Sequence, residues 1–441
     1  MMRKRHFAAA AGLVIGAVLL AGCSAGGGSD DNAKVDTDPK GDGKTLTLWH
    51  YEGADSAMGK AWDAAITEFE KETGAKVKFE EKSFEAIRST ASQVLNSNSA
   101  PDILEYNKGN ATAGLLSSQG LLTNLDAAVK AYGWDDKLAS SLQTTSKYSD
   151  EGIMGSGHFY GIPNYGEFVD VYYNKDMFEK YGIAVPTTFE EFEDALAKFK
   201  AAGVTPLAES AAEYPLGQLW YQLALSKADR DWVTDYQTYT GKVDFHDKAF
   251  TYATDTIKDW VDKGYISTDA TGLKAEDAGV AFEAAKYPIF YSGSWWYGRF
   301  TTEITGFNWG SFLFPGSDMA PGSSGNLWVV PENSKNKDLA YKFIDITMSP
   351  KIQAIIGNNG GIPVAADEAD ITDENSKALI ENFTTLTERD GLAFYPDWPT
   401  PTFYDQLNAG LQELVNGTKK PDAVLDELGS EYEDGVKDIT G

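Results

Sequence analysis

Apolar residues in the first part of the chain's folded body alternate between two spacings. Short apolar runs at 46–49, 77–79 and 103–104 have the length and the residue types of strands. The segments between them repeat apolar residues every three or four positions, as 58–69 does, which is typical of an amphipathic helix. This order of strand, helix, strand, helix and strand predicts parallel pairing through right-handed crossovers, and therefore an open α/β sheet.

In open sheets of this kind, ligands bind beyond the carboxyl ends of the strands. Segments 49–55 and 106–110 follow the first and third predicted strands. We therefore expect part of a binding site in these two segments.

The rest of the chain continues the mixture of strands and helices, with no internal repeat. A strand-rich stretch runs over 158–174, and further strands are predicted at 288–291, 308–314 and 327–330. The predicted helices are 175–181, 188–201, 217–227, 247–263, 339–348, 403–416 and 423–434.

The N-terminus carries a different pattern. Three basic residues at positions 3–5 precede an apolar stretch, 7–20, and small residues precede Cys23, the only cysteine. An apolar stretch of about 14 residues is shorter than the roughly 20 that span a bilayer. The pattern predicts a lipoprotein signal peptide over 1–22, with acylation of the new N-terminus at Cys23.

Residues 23–44 are mainly Gly, Ser, Asp, Asn and Lys, which predicts a flexible tether between the anchor and the body. We expect the protein to be held by its lipid on the outer face of the cytoplasmic membrane.

A chain of 441 residues with 42% hydrophobic residues is long enough for two domains with sizeable cores. Its single cysteine rules out a disulfide framework. The net charge of −28 makes nucleic acid and anionic lipid headgroups poor partners, because both attract clustered Lys and Arg.

The sequence lacks the motifs of common hydrolases, such as Gly-x-Ser-x-Gly and His-Glu-x-x-His, and it has no P-loop. Beyond the signal peptide its histidines are His50, His158 and His246, too widely spaced for a familiar zinc site. We expect no metal, no cofactor and no catalytic residue.

Several segments resemble, in order, the extracellular solute-binding proteins of bacterial ABC importers, specifically the carbohydrate-binding family that includes maltodextrin-binding proteins. The segments are LTLWHYEG, APDILEYNKGN, SSQGLLTNL, YGIPNYGEFVDVYYNKDMFEKYGI, PTTFEEF, FYSGSWWYGRF, NLWVVPENSKNKDLAYKFIDI and FYDQLNAGLQELVNG.

The resemblance implies a two-lobed, type II periplasmic-binding fold, in which each lobe is an open, mostly parallel sheet with flanking helices. It places 45–162 and 293–345 in lobe 1, and 163–292 and 346–441 in lobe 2. It further implies a monomer that closes its cleft on an oligosaccharide and delivers it to ABC permease subunits in the membrane.

A sugar presents C–H faces that stack on aromatic rings, and hydroxyl groups that need paired donors and acceptors once buried. The resemblance puts such mixtures of aromatic and polar residues on the cleft. The ligand-binding residues expected on this basis are His50, Tyr51, Glu52, Asn107, Asn110, Asn164, Tyr165, Glu167, Glu209, Tyr214, Trp220, Trp295, Asn326, Gly361, Asp397, Trp398 and Tyr404.

Among these, Trp295 is the expected stacking platform, because it follows Gly293 and Ser294 at a strand end and matches the family's G-x-W pattern. We expect Trp296 to lie in the core and Lys108 to be solvated. Asn326 and Gly361 are expected to line the cleft through backbone groups.

Two alternatives stay open at this stage. An exported glycosidase also needs aromatic residues and carboxylate pairs, and 66 acidic residues supply such pairs by chance. The same fold also binds other solutes: the acidic composition suits a polyamine, a peptide is a further option, and a phosphate ester would call for clustered arginines that are absent from this sequence.

Overall fold

The structure, a computed structural model, describes residues 34–366 and 368–441. The predicted signal peptide, Cys23 and the first part of the tether lie outside the described residues. Within them, no helix has the length and apolar character needed to cross a membrane.

The strands are β1 (Thr45–His50), β2 (Lys76–Glu81), β3 (Ile103–Tyr106), β4 (Lys147–Tyr148), β5 (His158–Phe159), β6 (Ile162–Pro163), β7 (Tyr165–Asn174), β8 (Leu207–Ala208), β9 (Ile289–Gly293), β10 (Trp309–Phe312), β11 (Gly322–Ser324), β12 (Leu327–Val329) and β13 (Ile362–Pro363).

The α-helices are α1 (Ala57–Thr73), α2 (Phe84–Leu95), α3 (Leu115–Ser118), α4 (Asp126–Tyr132), α5 (Trp134–Lys137), α6 (Ser140–Gln143), α7 (Lys175–Lys180), α8 (Phe189–Ala201), α9 (Pro215–Leu225), α10 (Arg230–Thr238), α11 (Lys248–Asp262), α12 (Ala275–Glu283), α13 (Tyr297–Glu303), α14 (Lys337–Thr347), α15 (Pro350–Asn358), α16 (Glu374–Glu388), α17 (Phe403–Asn416) and α18 (Pro421–Thr440). Shorter helical turns are Asn110–Gly114, Thr144–Ser146, Thr268–Gly272, Ser294–Trp296 and Glu368–Asp370.

The first sheet has the strand order β2-β1-β3-β12-β6. β1 pairs in parallel with both β2 and β3, which confirms the prediction from hydrophobic spacing. α1 begins where the Ser56 side chain accepts a hydrogen bond from the Gly59 N–H at 2.9 Å, and it ends at Gly74, whose φ of 74° favours glycine. The core beside this sheet is built from Leu46, Leu48, Trp62, Phe69, Ile103, Trp328 and Phe343, among others.

The second sheet is arranged around β7, which pairs antiparallel with β9 and β10, while β8 pairs in parallel with β9. The N-terminal half of β7 pairs instead with β11 and β13. One face of the sheet packs against a cluster that includes Tyr172, Phe290 and Phe300, and the other against a larger core that includes Trp220 and Trp260.

The chain passes between the two sheets three times, from β6 to β7, from β11 to β12, and from α15 to β13. At the first crossing the Asn164 carbonyl accepts a hydrogen bond from Gln353 Nε2 at 2.7 Å. Gln353 Oε1 in turn accepts from the N–H of Val364 at 2.8 Å, so one buried amide ties the first crossing to the third.

Two segments pack on the opposite side of the expected lobe boundaries. Residues 294–324, expected in lobe 1, pack on the second sheet, because Phe300 contacts Tyr172 at 5.0 Å between ring centroids and both β10 and β11 pair with β7. α15, expected in lobe 2, contributes Ile352 and Ile356 to the core beside the first sheet. The expectation was wrong for these segments, because apolar side chains decide which sheet a connecting helix covers.

Candidate ligand-binding cleft

A cleft of about 960 Å³ lies where the carboxyl ends of β1, β3 and β9 face the crossing strands. The first lobe supplies residues that follow β1, β2 and β3. The second lobe supplies the start of α9, the segment from Trp295 to Glu303 and the loop that carries Trp398. The position agrees with the rule that ligands bind beyond the carboxyl ends of open-sheet strands.

A chain of polar contacts forms what we call the cleft floor: Glu52, Glu105, Lys108, Tyr165, Glu167 and Asn326. The Tyr165 hydroxyl lies 3.2 Å from Glu52 Oε1 and 3.3 Å from Glu105 Oε1, and it accepts a hydrogen bond from Asn326 Nδ2 at 2.7 Å. Lys108 Nζ forms an ion pair with Glu167 and donates to Asn326 Oδ1 at 3.2 Å.

The two carboxyl groups beside Tyr165 cannot both ionise freely. Burial raises the pKa of Glu52 to about 7, and burial with the nearby Glu52 charge raises the pKa of Glu105 well above its usual range. Because the Tyr165 hydroxyl has one proton to donate, a protonated Glu105 supplies the second donor that this cluster needs. Desolvation also raises the pKa of Asp397 to about 6.

Aromatic rings form the walls. Trp295 is half-buried and meets Tyr214 edge to face, with 5.8 Å between ring centroids. Trp398 packs beside Tyr395 at 5.2 Å. Gly109 adopts a φ of 103°, and a Cβ there would lie 2.5 Å from the Trp398 ring, so only glycine fits.

Ten of the residues expected from the sequence line this cleft. They are Tyr51, Glu52, Asn107, Tyr165, Glu167, Tyr214, Trp295, Asn326, Asp397 and Trp398. Trp296 touches the cleft but is buried in the core, where it contacts Phe290, as expected.

Four expected residues instead hold the structure around the cleft. His50 is buried, stacks on Phe79 at 4.1 Å and accepts a hydrogen bond from the backbone N–H of Glu52, while burial lowers its pKa to about 4. Asn110 bonds to the Gln237 carbonyl at 2.7 Å. Asn164 donates to Thr347 Oγ1 at 2.8 Å, and the Tyr404 hydroxyl donates to Glu85 at 2.6 Å.

The other three expected residues are packed away from the cleft. Trp220 belongs to the core of the second lobe, where it donates to Thr254 at 2.8 Å and stacks on Phe250. Gly361 packs against Ile356 and Ala57. Glu209 is buried, does not line the cleft, and has a pKa raised well above its usual range by burial.

Sequence reasoning missed several cleft residues. Lys108 was expected to be solvated, but it is 2% exposed, because it is the counter-ion of Glu167. Phe84 and Glu85 line the cleft just after β2, so the carboxyl-end rule applied to that strand would have found them. Gln218, Tyr395 and Arg299 gave no comparable signal.

The two lobes meet at the rim through what we call the inter-lobe latch: Glu85 and Arg88 on α2, and Tyr404 and Asp405 on α17. Arg88 bonds to Glu85 at 3.0 Å and to Asp405 at 2.9 Å, and its guanidinium lies 4.0 Å from the centre of the Tyr404 ring. Phe84 also reaches Tyr214 across the cleft, with 6.4 Å between ring centroids.

Among the described residues, no group of three or more His, Cys, Asp or Glu side chains is arranged to hold a metal ion. The described cleft residues offer hydrogen bonds, ion pairs and aromatic rings for stacking.

A family model described as bacterial extracellular solute-binding protein matches residues 53–354. Among curated relatives, the diacetylchitobiose binding protein DasA of Streptomyces coelicolor is 28% identical over 375 residues, covering 82% of each chain. A probable sugar-binding periplasmic protein of Rhizobium meliloti is 24% identical over 270 residues, or 58% of this chain and 60% of the relative.

Solved structures share the fold. A chitin oligosaccharide binding protein superposes with a TM-score of 0.75 at 22% identity, covering 89% of this chain and 99% of its own. The GacH receptor of Streptomyces glaucescens superposes with a TM-score of 0.72 at 23% identity, covering 90% and 99%. These similarities establish the two-domain α/β architecture.

The latch predicts that Arg88→Ala shifts the protein toward a more open arrangement, because it removes the ion pair with Asp405 and the cation–π contact with Tyr404 that join α2 to α17. Contacts of this kind contribute about 1–2 kcal/mol together. X-ray scattering should show a larger radius of gyration than for the wild type. Lys78→Ala is the matched control, since the ion pair of Lys78 with Glu80 stays within β2; an Arg88→Ala profile identical to that of the control would contradict the prediction.

Proposed function

Because the chain belongs to the bacterial extracellular solute-binding protein family, we propose that it is the substrate-binding component of an ABC importer and captures an oligosaccharide in the cleft. It works outside the cytoplasm and hands the sugar to permease subunits in the membrane. The names of its relatives, a diacetylchitobiose binding protein and a sugar-binding periplasmic protein, support a carbohydrate as the ligand class.

The observation that carries the proposal is the pairing of an aromatic wall with a polar floor in one cleft. Trp295 and Tyr214 offer flat surfaces on which the C–H face of a sugar ring can stack. Glu52, Lys108 and Asn326 supply acceptors and donors for its hydroxyl groups. The volume of about 960 Å³ lies near the upper end of small-molecule sites, which favours more than one sugar ring.

The three crossings join the two lobes and allow them to close over the cleft. We place the first lobe from the start of β1 to β6, with β12, α14 and α15, and the second lobe over the remaining elements, joined through the three crossings. Since both lobes line the cleft, a ligand that touches both walls stabilises the closed arrangement. The permease then distinguishes loaded from empty protein by shape.

The geometry favours a binder over a glycosidase. Glycosidases place two carboxyl groups on either side of the bond they cleave, about 5–9.5 Å apart. Glu52 and Glu105 instead lie against the same tyrosine hydroxyl, with carboxyl oxygens 3.2 and 3.3 Å from it. Such a pair receives hydroxyl groups but does not flank a glycosidic bond.

We further propose that Cys23, which lies outside the described residues, carries the lipid anchor. The support is the sequence pattern of basic, apolar and small residues before this cysteine. Residues 34–44, expected to be part of the flexible tether, instead pack on the first lobe: Val35 packs against its core, and the Gly41 N–H donates to the Thr73 carbonyl at 2.8 Å.

The proposal is tested by thermal unfolding of the purified protein against a panel of neutral oligosaccharides. A ligand that binds only the folded state raises Tm, and at about 100 times its Kd it adds about 2.7 kcal/mol to the free energy of unfolding. At least one member should raise Tm and be recovered intact by mass spectrometry. A panel without any shift, or cleavage over many turnovers, argues against an oligosaccharide binder.

Trp295→Ala is expected to weaken oligosaccharide binding by about 2–4 kcal/mol, roughly thirty- to a thousandfold, because stacking surface and apolar burial are lost together. Calorimetric titration measures the affinity. Trp309→Ala is the matched control, since Trp309 is also half-buried but packs on Tyr297, outside the cleft. If Trp295→Ala binds normally yet melts far below the control, Trp295 is a core residue and not a platform.

Cys23→Ala is expected to leave the protein uncleaved or to release it, because acylation requires the thiol. Fractionation and the mass of the N-terminal peptide provide the measurement. If the variant is processed normally and stays in the membrane, the assignment of the lipid anchor to Cys23 is wrong.

A further inference from the structure

The cleft contains more negative charge than its cations balance. Nine acidic and four basic side chains line it. The basic ones on the second-lobe rim are already engaged: Lys274 pairs with Glu213 and Arg299 with Glu276, and on the floor Lys108 pairs with Glu167. In the part of the chain that the structure describes, Glu52, Glu105 and Asp397 form no ion pair.

This imbalance matters when the cleft closes. Removing water from a carboxylate that has no counter-charge is unfavourable, and a neutral ligand supplies hydrogen bonds but no charge. A ligand with an ammonium group would offset this cost. The aromatic walls favour the same ligand, since the faces of Trp and Tyr rings attract cations.

A buried acceptor without a partner at the cleft also favours a ligand with an ammonium group. Gln218 lines the cleft and is 4% exposed, yet its Oε1 has no hydrogen-bond partner in the protein. Buried acceptors of this kind call for a donor from the ligand, and an ammonium group carries three N–H donors.

We propose that the cleft is built for a carbohydrate that carries an unsubstituted amino group, whose ammonium is received by the carboxyl groups of the floor, with Glu52 as the principal partner. This inference rests on the proposed function and narrows its ligand class. The stacking surface of Trp295 and Tyr214 favours a sugar ring over an open-chain polyamine, because a flexible chain has no flat face to place on it.

Each element around Glu52 brings charged or titratable groups near it. His50 and Tyr51 precede it on the chain. Glu105 and Lys108 lie on and after β3, and Tyr165 and Glu167 lie on β7. The pKa of Glu52 is raised to about 7 and that of Asp397 to about 6. Near pH 5 both carry a proton, which an arriving ammonium would have to displace. Binding of the charged sugar should therefore weaken as the pH falls from 7 to 5.

Calorimetric titration with three β-1,4-linked disaccharides that differ only at carbon 2 tests the proposal. They are cellobiose, the glucosamine dimer and its di-N-acetylated form. At pH 7 the glucosamine dimer should bind at least about tenfold more tightly than either neutral sugar, an advantage that shrinks to about threefold or less at pH 5.

Glu52→Gln keeps the shape of the side chain and one of its two acceptor oxygens but removes its charge, so it should abolish the preference for the amine. Glu433→Gln removes the same charge from an exposed position on α18, outside the cleft, and should retain the preference. If Glu52→Gln does not fold, as thermal melting would reveal, Asp397→Asn should reduce the preference in its place.

Equal or tighter binding of cellobiose or the acetylated dimer at pH 7 overturns the inference and leaves the proposed function intact. Spermidine binding as tight as that of the glucosamine dimer overturns the assignment to a carbohydrate. If none of the disaccharides binds, the inference also fails, and the oligosaccharide panel described above decides separately whether the proposed function survives.

Discussion

The buried ion pair between Lys108 and Glu167 is the interaction on which the cleft depends. Lys108 enters from the loop after β3, and Glu167 lies on β7, so the pair joins the first sheet to the long strand of the second. Removing either partner would leave a buried, uncompensated charge, at a cost of about 3–5 kcal/mol. Asn326, at the second crossing, accepts from the same ammonium, so one cation fixes three segments at the base of the cleft.

The same constraint, that buried charge must be balanced, explains the protonation of the floor. Lys108 balances Glu167, which leaves Glu52 and Glu105 to share the Tyr165 hydroxyl without a cation. With the pKa of Glu105 well above its usual range and that of Glu52 raised to about 7, the floor carries protons where charges would be costly. Its charge is therefore set jointly by pH and by what the cleft holds.

Local patterns along the sequence predicted the elements well, and for a physical reason. The spacing of Leu46, Trp62 and Ile103 reflects which face of each element is buried, so the parallel pairing of β1 with β2 and β3 could be inferred before any tertiary contact was known. The same pattern does not say which sheet a helix covers. Residues 294–324 and α15 were therefore assigned to the wrong lobes, because the strands and helices that they pack against lie far from them in sequence.

The candidate site was predictable to the extent that strand ends and ordered motifs locate it. Trp295, Glu52 and Tyr165 follow from such signals. The direction of a side chain cannot be predicted from these signals. His50 immediately precedes two cleft residues, but its ring stacks on Phe79. Lys108 was missed because its counter-ion, Glu167, lies far away in sequence, and only the fold brings the two together.

The walls and the floor of the cleft contribute differently to ligand recognition. The walls come from separate lobes and meet where Phe84 contacts Tyr214. Closure therefore encloses a sugar ring that lies beside Trp295. The apolar surface that the ring buries depends little on which sugar it is. The floor is held at the crossings by the hydrogen bonds of Tyr165 and Asn326 and by the ion pair. Affinity through closure therefore comes mainly from the walls, while discrimination among sugars comes from the floor, where each unmatched polar group carries a cost.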